Sequence, residues 1–255
     1  MGNVRKEELY CPYDGGDLYG ELYLPDPMPA KKVKFIILSH GIFSSYQATG
    51  VTAQVLAAHG YGCYCFDYKG CSYSCRSGGD LLSCSIVTEK DELNAVLAYF
   101  RQQPYVDTAH IYLLGQSLGG VVASLTAAEH ANDIRAMILM YPAYNFMDYL
   151  SAMFKSIGDI PEVVENYMGV PGMNLGKKFF ADALECPFFE TIGRYTRPVY
   201  IFHGTADELV SSVYAEKAKE SFADARLEFV EGAGHGFNLD ENNIKGVLEF
   251  LNENM

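Results

Sequence analysis

Three residues set in glycine-rich turns are the best candidates for chemistry in this chain of 255 residues. The first is Ser117, in Gly115-Gln116-Ser117-Leu118-Gly119-Gly120. It follows a short apolar run, Ile111–Leu114, and opens a stretch of helical spacing, the context that a G-x-S-x-G nucleophile elbow requires. Side chains beside so sharp a turn must be tiny, and the hydroxyl is left above a strand end at the positive terminus of a helix. The ordinary alternative is a glycine-rich strand–helix turn with no chemical role. A serine hydroxyl is a poor nucleophile near neutral pH and needs a base within hydrogen-bond reach. Of the six histidines, His59, His110 and His130 fall at expected helix ends or in loops, where a solvated or capping role suffices. His203 ends an apolar run and reads as a satisfied buried histidine. His235 differs, because Gly232-Ala233-Gly234-His235-Gly236-Phe237 is a loop that lets an imidazole reach back across strand ends.

The imidazole needs a carboxylate to hold its tautomer and stabilise the imidazolium. Asp207, in His203-Gly204-Thr205-Ala206-Asp207-Glu208-Leu209-Val210, stands beyond an apolar run and before a helical one. A helix N-cap is its ordinary alternative, and Glu208 and Asp240 are rival acids. Acyl transfer also needs donors for an oxyanion. The backbone N–H of Leu118 is one, since it follows the nucleophile. The second is expected from Ser39-His40-Gly41-Ile42-Phe43, where Gly41 lets the chain present the N–H of Ile42, with Phe43 the second choice; a plain strand-end turn is the alternative.

The elements that must hold these turns alternate along the chain. The first 30 residues read as a hairpin, with strands at Glu8–Cys11 and Asp17–Leu24 around a Pro12-Tyr13-Asp14-Gly15-Gly16 turn. Val33–Leu38, Gly62–Phe66, Ile111–Leu114, Ile134–Met140, Pro198–Phe202 and Leu227–Val230 read as strands, most of them continuous apolar runs buried on both faces. Helical spacing covers Thr49–His59, Val87–Gln102, Leu118–Glu129, Ser211–Ser221 and Asn242–Asn252. Alternation of this kind implies right-handed crossovers and a mainly parallel, doubly wound α/β sheet, with the hairpin extending one edge. About 55 residues between Tyr141 and Pro198 break the rhythm, far more than a βα connection needs. They carry many aromatic and methionine side chains, which must bury against something. The expected organisation is therefore a core of residues 1–142 and 195–255 and a cap of residues 143–194 over the Ser117 end of the sheet. A peripheral subdomain or a homodimer contact is the alternative for that segment.

Composition narrows the classes. Apolar residues are 49% of the chain, too many for disorder. The balance of 19 basic against 32 acidic residues, a net charge of −13, repels phosphate backbones and anionic membranes, so neither nucleic acid nor a membrane is an expected partner. The segment after Met1 has no apolar run behind its basic residues, so no signal peptide and a cytoplasmic location are expected. Seven cysteines are expected as free thiols. A zinc site at Cys71 and Cys75 is disfavoured, since Cys63 and Cys65 point along one face of a strand.

With the motifs placed, the chain resembles the α/β-hydrolase superfamily over nearly its full length, and within it the bacterial cinnamoyl (feruloyl) esterases and small carboxylesterases. The resemblance rests on His40-Gly41, Asp67-Tyr68-Lys69-Gly70, the Ser117 elbow, Pro187-Phe188-Phe189-Glu190, His203-Gly204-Thr205-Ala206-Asp207 and Glu231-Gly232-Ala233-Gly234-His235. The order Ser117, Asp207, His235 is the order of that superfamily. The resemblance implies a serine esterase acting on a small-molecule ester, a cap inserted after the sixth strand, a triad of those three residues, and no metal or organic cofactor. Leu118 stands where those esterases commonly carry glutamine, and Phe179 and Phe180 fill the region of their cap tyrosines. Tyr167 and Asp148, with Phe43, complete the expected substrate contacts. A serine peptidase and a non-catalytic ligand receptor on the same fold are the competing readings.

Overall fold

The computed structural model describes residues 2–14 and 16–255; Gly15, in the expected hairpin turn, lies outside them. Strands β1 (Asn3–Cys11) and β2 (Leu18–Asp26) form the hairpin, which extends further from its turn than the sequence suggests. Then follow β3 (Val33–Ser39), α1 (Tyr46–Ala58), β4 (Gly62–Phe66), α2 (Ile86–Arg101), β5 (Val106–Gln116), α3 (Leu118–Glu129) and β6 (Ala136–Met140). After an inserted segment the chain resumes with β9 (Val199–Gly204), α7 (Val213–Ser221), β10 (Ala225–Val230) and α8 (Lys245–Glu253). The eight-stranded sheet runs β1-β2-β4-β3-β5-β6-β9-β10. From β4 to β10 every pairing is parallel, and β2 joins β4 antiparallel. This is the doubly wound α/β sheet with an antiparallel edge hairpin that the alternating runs imply.

Side-chain alternation divides the core. Phe35, Ile37, Leu113, Met137 and Leu139 face the layer containing α2 and α3, whereas Ile36, Leu38, Leu114, Ile138 and Met140 face α1 and α8. His110 lies within β5 rather than in a loop, paired with Asp107 at 2.7 Å. Among the described residues no helix is long and apolar enough to cross a membrane.

The inserted segment is ordered around its aromatic side chains. It contains α4 (Phe146–Met153), β7 (Val163–Val164), β8 (Leu175–Gly176), α5 (Lys177–Glu185) and α6 (Phe188–Ile192). The small β7–β8 pair is antiparallel and was not expected from the sequence. Phe179 and Phe180, both with no exposed surface, meet Phe146, Phe154 and Tyr167 edge-on at centroid distances of 5.3 to 6.0 Å. Tyr144 ties the segment to α3, its hydroxyl 2.5 Å from Ser124 Oγ.

The buried face of α2 carries two carboxylates beside Leu93, Val96 and Phe100, Glu89 and Glu92, each 3% exposed. Glu92 Oε2 accepts the backbone N–H of Lys69 at 2.9 Å. Desolvation pushes the Glu92 carboxyl from an ordinary 4.5 up to about 8.

Two outcomes are expected. Phe179→Ala removes a fully enclosed ring and should lower unfolding stability by about 3–5 kcal/mol in denaturant titrations; a loss near zero would mean that the aromatic cluster is not packed. Glu92 keeps in the folded chain a proton that the unfolded chain releases above its ordinary pKa, so its contribution to stability falls as pH rises from about 5 to about 8. Glu92→Gln retains an acceptor for Lys69 and cannot ionise. Its unfolding midpoint relative to the parent should climb across that range, and a difference independent of pH would contradict the burial argument.

Candidate active site

Ser117 occupies the one-residue turn between β5 and α3, with φ 53° and ψ −121°. A non-glycine residue there is strained, and it persists because its surroundings over-determine it. The Ser117 N–H donates to the Met140 carbonyl at 3.1 Å, and its own carbonyl accepts from Gly120 at 2.9 Å and Ala143 at 3.1 Å. The first turn of α3 presses on the end of β3. A Cβ at Gly119 would lie 2.4 Å from the carbonyl oxygens of both Ser39 and His40, so only glycine fits.

The loops after β9 and β10 bring the other two residues to this turn. His235 Nε2 lies 2.9 Å from Ser117 Oγ, and His235 Nδ1 lies 2.9 Å from Asp207 Oδ2. The Asp207 side chain has no exposed surface, while that of His235 is 19% exposed. Asp207 Oδ1 accepts the backbone N–H groups of Leu209 at 3.0 Å and Val210 at 2.9 Å, which orients the carboxylate and compensates its burial. An acceptor-only carboxylate at Nδ1 requires that nitrogen to carry the proton, leaving Nε2 as acceptor for the serine hydroxyl. Of the rival acids, Glu208 is exposed, and Asp240 is exposed and accepts from Asn242 at 2.8 Å.

His203 is buried as expected but not satisfied. Its Nε2 lies 2.8 Å from the Val210 carbonyl and 3.5 Å from Asp207 Oδ2, and among the described residues its Nδ1 has no partner. Tyr141, which the sequence reading passed over, sets its ring edge-on to the His235 imidazole at 4.7 Å and to Phe237 at 5.0 Å. Its position just past the end of β6 was the available signal, because sites in such sheets lie beyond the carboxyl ends of strands.

The segment after β3 runs directly beside the serine. A Cβ at Gly41 would stand 3.0 Å from Ser117 Cβ. Among the described residues neither the N–H of Ile42 nor that of Leu118 has a protein acceptor. Ile42 and Ser117 belong to two cavities that also share Met168 and Leu209. The larger, about 420 Å³, is walled by Leu118, Ala143, Phe146, Tyr149 and Tyr167. The smaller, about 330 Å³, lies among Phe43, Ala48, Tyr141, His235 and Asn238. Backbone strain concentrates here: of five described non-glycine residues with positive φ, Phe43, Ser117, Tyr141 and Met168 all line these cavities.

Three expected substrate contacts lie elsewhere. Phe179 and Phe180 do not line either cavity; they stand one layer back, supporting Phe146 and Tyr167, because the amphipathic α5 turns both rings into the segment's own core. Asp148 points away, accepting from the Tyr214 hydroxyl at 2.8 Å with Lys217 Nζ at 3.7 Å, so its charge stays solvated. Phe43 and Tyr167 do line the cavities, their rings 6.2 Å apart. Met168 and Leu209 were missed. Leu209 had a signal in its place two residues past Asp207, whereas nothing around Met168 marks it.

Residues 30–185 match the family model described as serine aminopeptidase, S33. The monoacylglycerol lipase of Mycolicibacterium smegmatis is 25% identical over 82% of each chain. The quorum-quenching protein AidA of Acinetobacter baumannii is 27% identical over 56% of this chain, and the alignment spans less than half, 46%, of that relative. In three dimensions the chain is similar to the ferulic acid complex of Est1E from Butyrivibrio proteoclasticus, with a TM-score of 0.82 over 96% of each chain at 22% identity, a likeness of fold. The chain is a member of the serine aminopeptidase S33 family and has the α/β-hydrolase fold.

Proposed function

We propose that the protein hydrolyses a carboxylic ester through an acyl-enzyme. Ser117 attacks the carbonyl, His235 takes its proton and returns it to the leaving alcohol, and Asp207 holds the imidazole and stabilises its charged form. The N–H groups of Ile42 and Leu118 receive the oxyanion. The observation that carries this reading is the continuous hydrogen-bonded line from Asp207 through His235 to Ser117, ending where two cavities meet. The leaving oxygen must be within reach of His235, so the smaller cavity takes the alcohol and the larger the acyl group. The inserted segment is the cap that walls the acyl side with Phe146, Tyr149 and Tyr167.

The acyl class is supported by that wall. It is aromatic and apolar apart from a few polar groups. Among the described residues no protein group hydrogen-bonds the hydroxyls of Tyr149 and Tyr167. An acyl chain carrying a planar ring and a polar tip, as in a hydroxycinnamoyl ester, matches this lining. The family description and the peptidase alternative call for comparison with aminoacyl substrates. An aminopeptidase must hold a substrate ammonium, and among the described residues no acidic side chain lines either cavity, which favours the ester.

Labelling with a fluorophosphonate probe, followed by turnover of an ester and aminoacyl-anilide panel, tests the reaction. Ser117→Ala should lose labelling and roughly 10⁶ in turnover, and Asp207→Asn about 10⁴. Preserved ester turnover in Ser117→Ala would end the proposal, and anilides outpacing esters would favour a peptidase. For the acyl group, Tyr167→Phe keeps the ring and removes the hydroxyl. It should cut kcat/KM for a 4-hydroxycinnamoyl ester by about tenfold, the worth of one hydrogen bond, and leave a butyryl ester unchanged. Equal effects on both esters would remove the phenolic preference from the reading.

A further inference from the structure

We propose that His203 is a positioning residue for the reaction: from strand β9 it fixes the turn of residues 207–210 and thereby holds the Asp207 carboxylate against His235. The proposal rests on the roles given above to Ser117, His235 and Asp207. His203 is the last residue but one of β9, stands opposite Phe229 of β10, and has no exposed surface. Asp207, by contrast, belongs to the loop beyond that strand. A side chain anchored in the sheet therefore reaches into the loop that carries the acid, and groups on strands hold a geometry more precisely than groups on loops.

The contacts form a short relay. His203 Nε2 stands 2.8 Å from the Val210 carbonyl. A carbonyl only accepts, so Nε2 carries the ring proton and donates it. Among the described residues no other group donates to that carbonyl, and Val210 is buried. The Val210 N–H donates in turn to Asp207 Oδ1 at 2.9 Å, beside the Leu209 N–H at 3.0 Å. The peptide that carries the Val210 N–H is also held at its other side, because the Leu209 carbonyl accepts from Asn145 Nδ2 at 3.1 Å. Such a peptide is planar, so fixing its carbonyl fixes the direction of its N–H. Val210 is gripped at both backbone polar groups, by His203 at one and by Asp207 at the other.

The same ring lies beside the acid itself. His203 Nε2 is 3.5 Å from Asp207 Oδ2, the oxygen that meets His235 Nδ1 at 2.9 Å. The Nε2 proton is aimed at Val210, so this approach sets a dipole beside a charge and is not a hydrogen bond. Among the described residues Oδ2 thus keeps its hydrogen bond for His235, while the two bonds at Oδ1 resist rotation of the carboxylate. When Ser117 gives up its proton, the imidazolium that forms is best stabilised by a carboxylate already in line. A shift of the turn by about 1 Å would cost about 10² in rate.

Two amide substitutions separate reach from polarity. His203→Gln can bring an N–H to the place of Nε2, whereas His203→Asn is too short to meet Val210. Fluorophosphonate titration taken to completion counts intact sites, and kcat and KM per site are then measured with an aryl ester. His203→Asn should lower kcat roughly 10- to 100-fold with KM within about twofold, and His203→Gln should recover most of that loss. Because His203 acts through Asp207, the same His203→Asn change should cost less than about threefold in the Asp207→Asn background. In the full chain without substitution, ¹⁵N spectra of the histidine rings should show the proton of His203 on Nε2, a measurement that needs no variant to fold. Equal fold-losses in both backgrounds, equal kcat in the Asn and Gln variants, or an unprotonated Nε2 would overturn the role of His203. Undiminished turnover in Asp207→Asn alone would instead bring down the roles on which it rests.

Discussion

The close approach of α3 to the ends of β3 and β5 is the constraint on which the rest depends. Gly119 brings the helix backbone to where a single added carbon would collide with two carbonyl oxygens. That contact forces Ser117 into its left-handed turn and aims the helix N-terminus at the space above the sheet, where a developing negative charge is favoured. It also sets the segment from His40 to Phe43 against the serine. Ten of the twelve α3 residues are buried, so this floor has little freedom to shift, and a preorganised electrostatic site needs such rigidity.

On that floor the parts have distinct mechanical characters. The carboxylate of Asp207 is enclosed and held in orientation by two backbone N–H groups. His235 sits on a glycine-rich loop, steadied by the ring of Tyr141. The walls come from the inserted segment, whose inner rings are braced by Phe179 and Phe180. The strained residues Phe43, Tyr141 and Met168 occur where walls and floor meet, as expected where surroundings are shaped for a ligand rather than for stability.

Much of this was legible because it is written in local pattern. Continuous apolar runs marked the parallel strands, with β4 at Gly62–Phe66 and α3 at Leu118–Glu129 where the residues placed them. The glycine motifs named Ser117, Asp207 and His235, which the fold brings within hydrogen-bond reach of one another. What escaped depends on the third dimension. Periodicity shows that Phe179 and Phe180 are buried but not whether they face a cavity or the layer behind it. An apolar stripe on α2 gives no hint that Glu89 and Glu92 share its buried face, since each is an ordinary surface residue by type. The meeting of Cys71 with His40 joins a loop after β4 to one after β3, and no spacing rule predicts a contact across two strand ends.

The inserted segment leaves the sheet after β6 and returns into β9, and these two strands are direct neighbours, with Met137 opposite Val199. Its exit after Met140 and its return at Val199 therefore lie at opposite ends of an unbroken pair of parallel strands, which pair directly whatever the chain between them does. A segment tethered in this way is a replaceable part. Lengthening, shortening or exchanging it would leave the strand register untouched, and evolution can rewrite the wall that meets the ligand without reopening the arrangement beneath it. The main tie to be kept is with α3, through Tyr144 and Ser124. New ligand preferences can accordingly arise on this scaffold by changes in one contiguous stretch of the gene, with the reacting groups inherited intact.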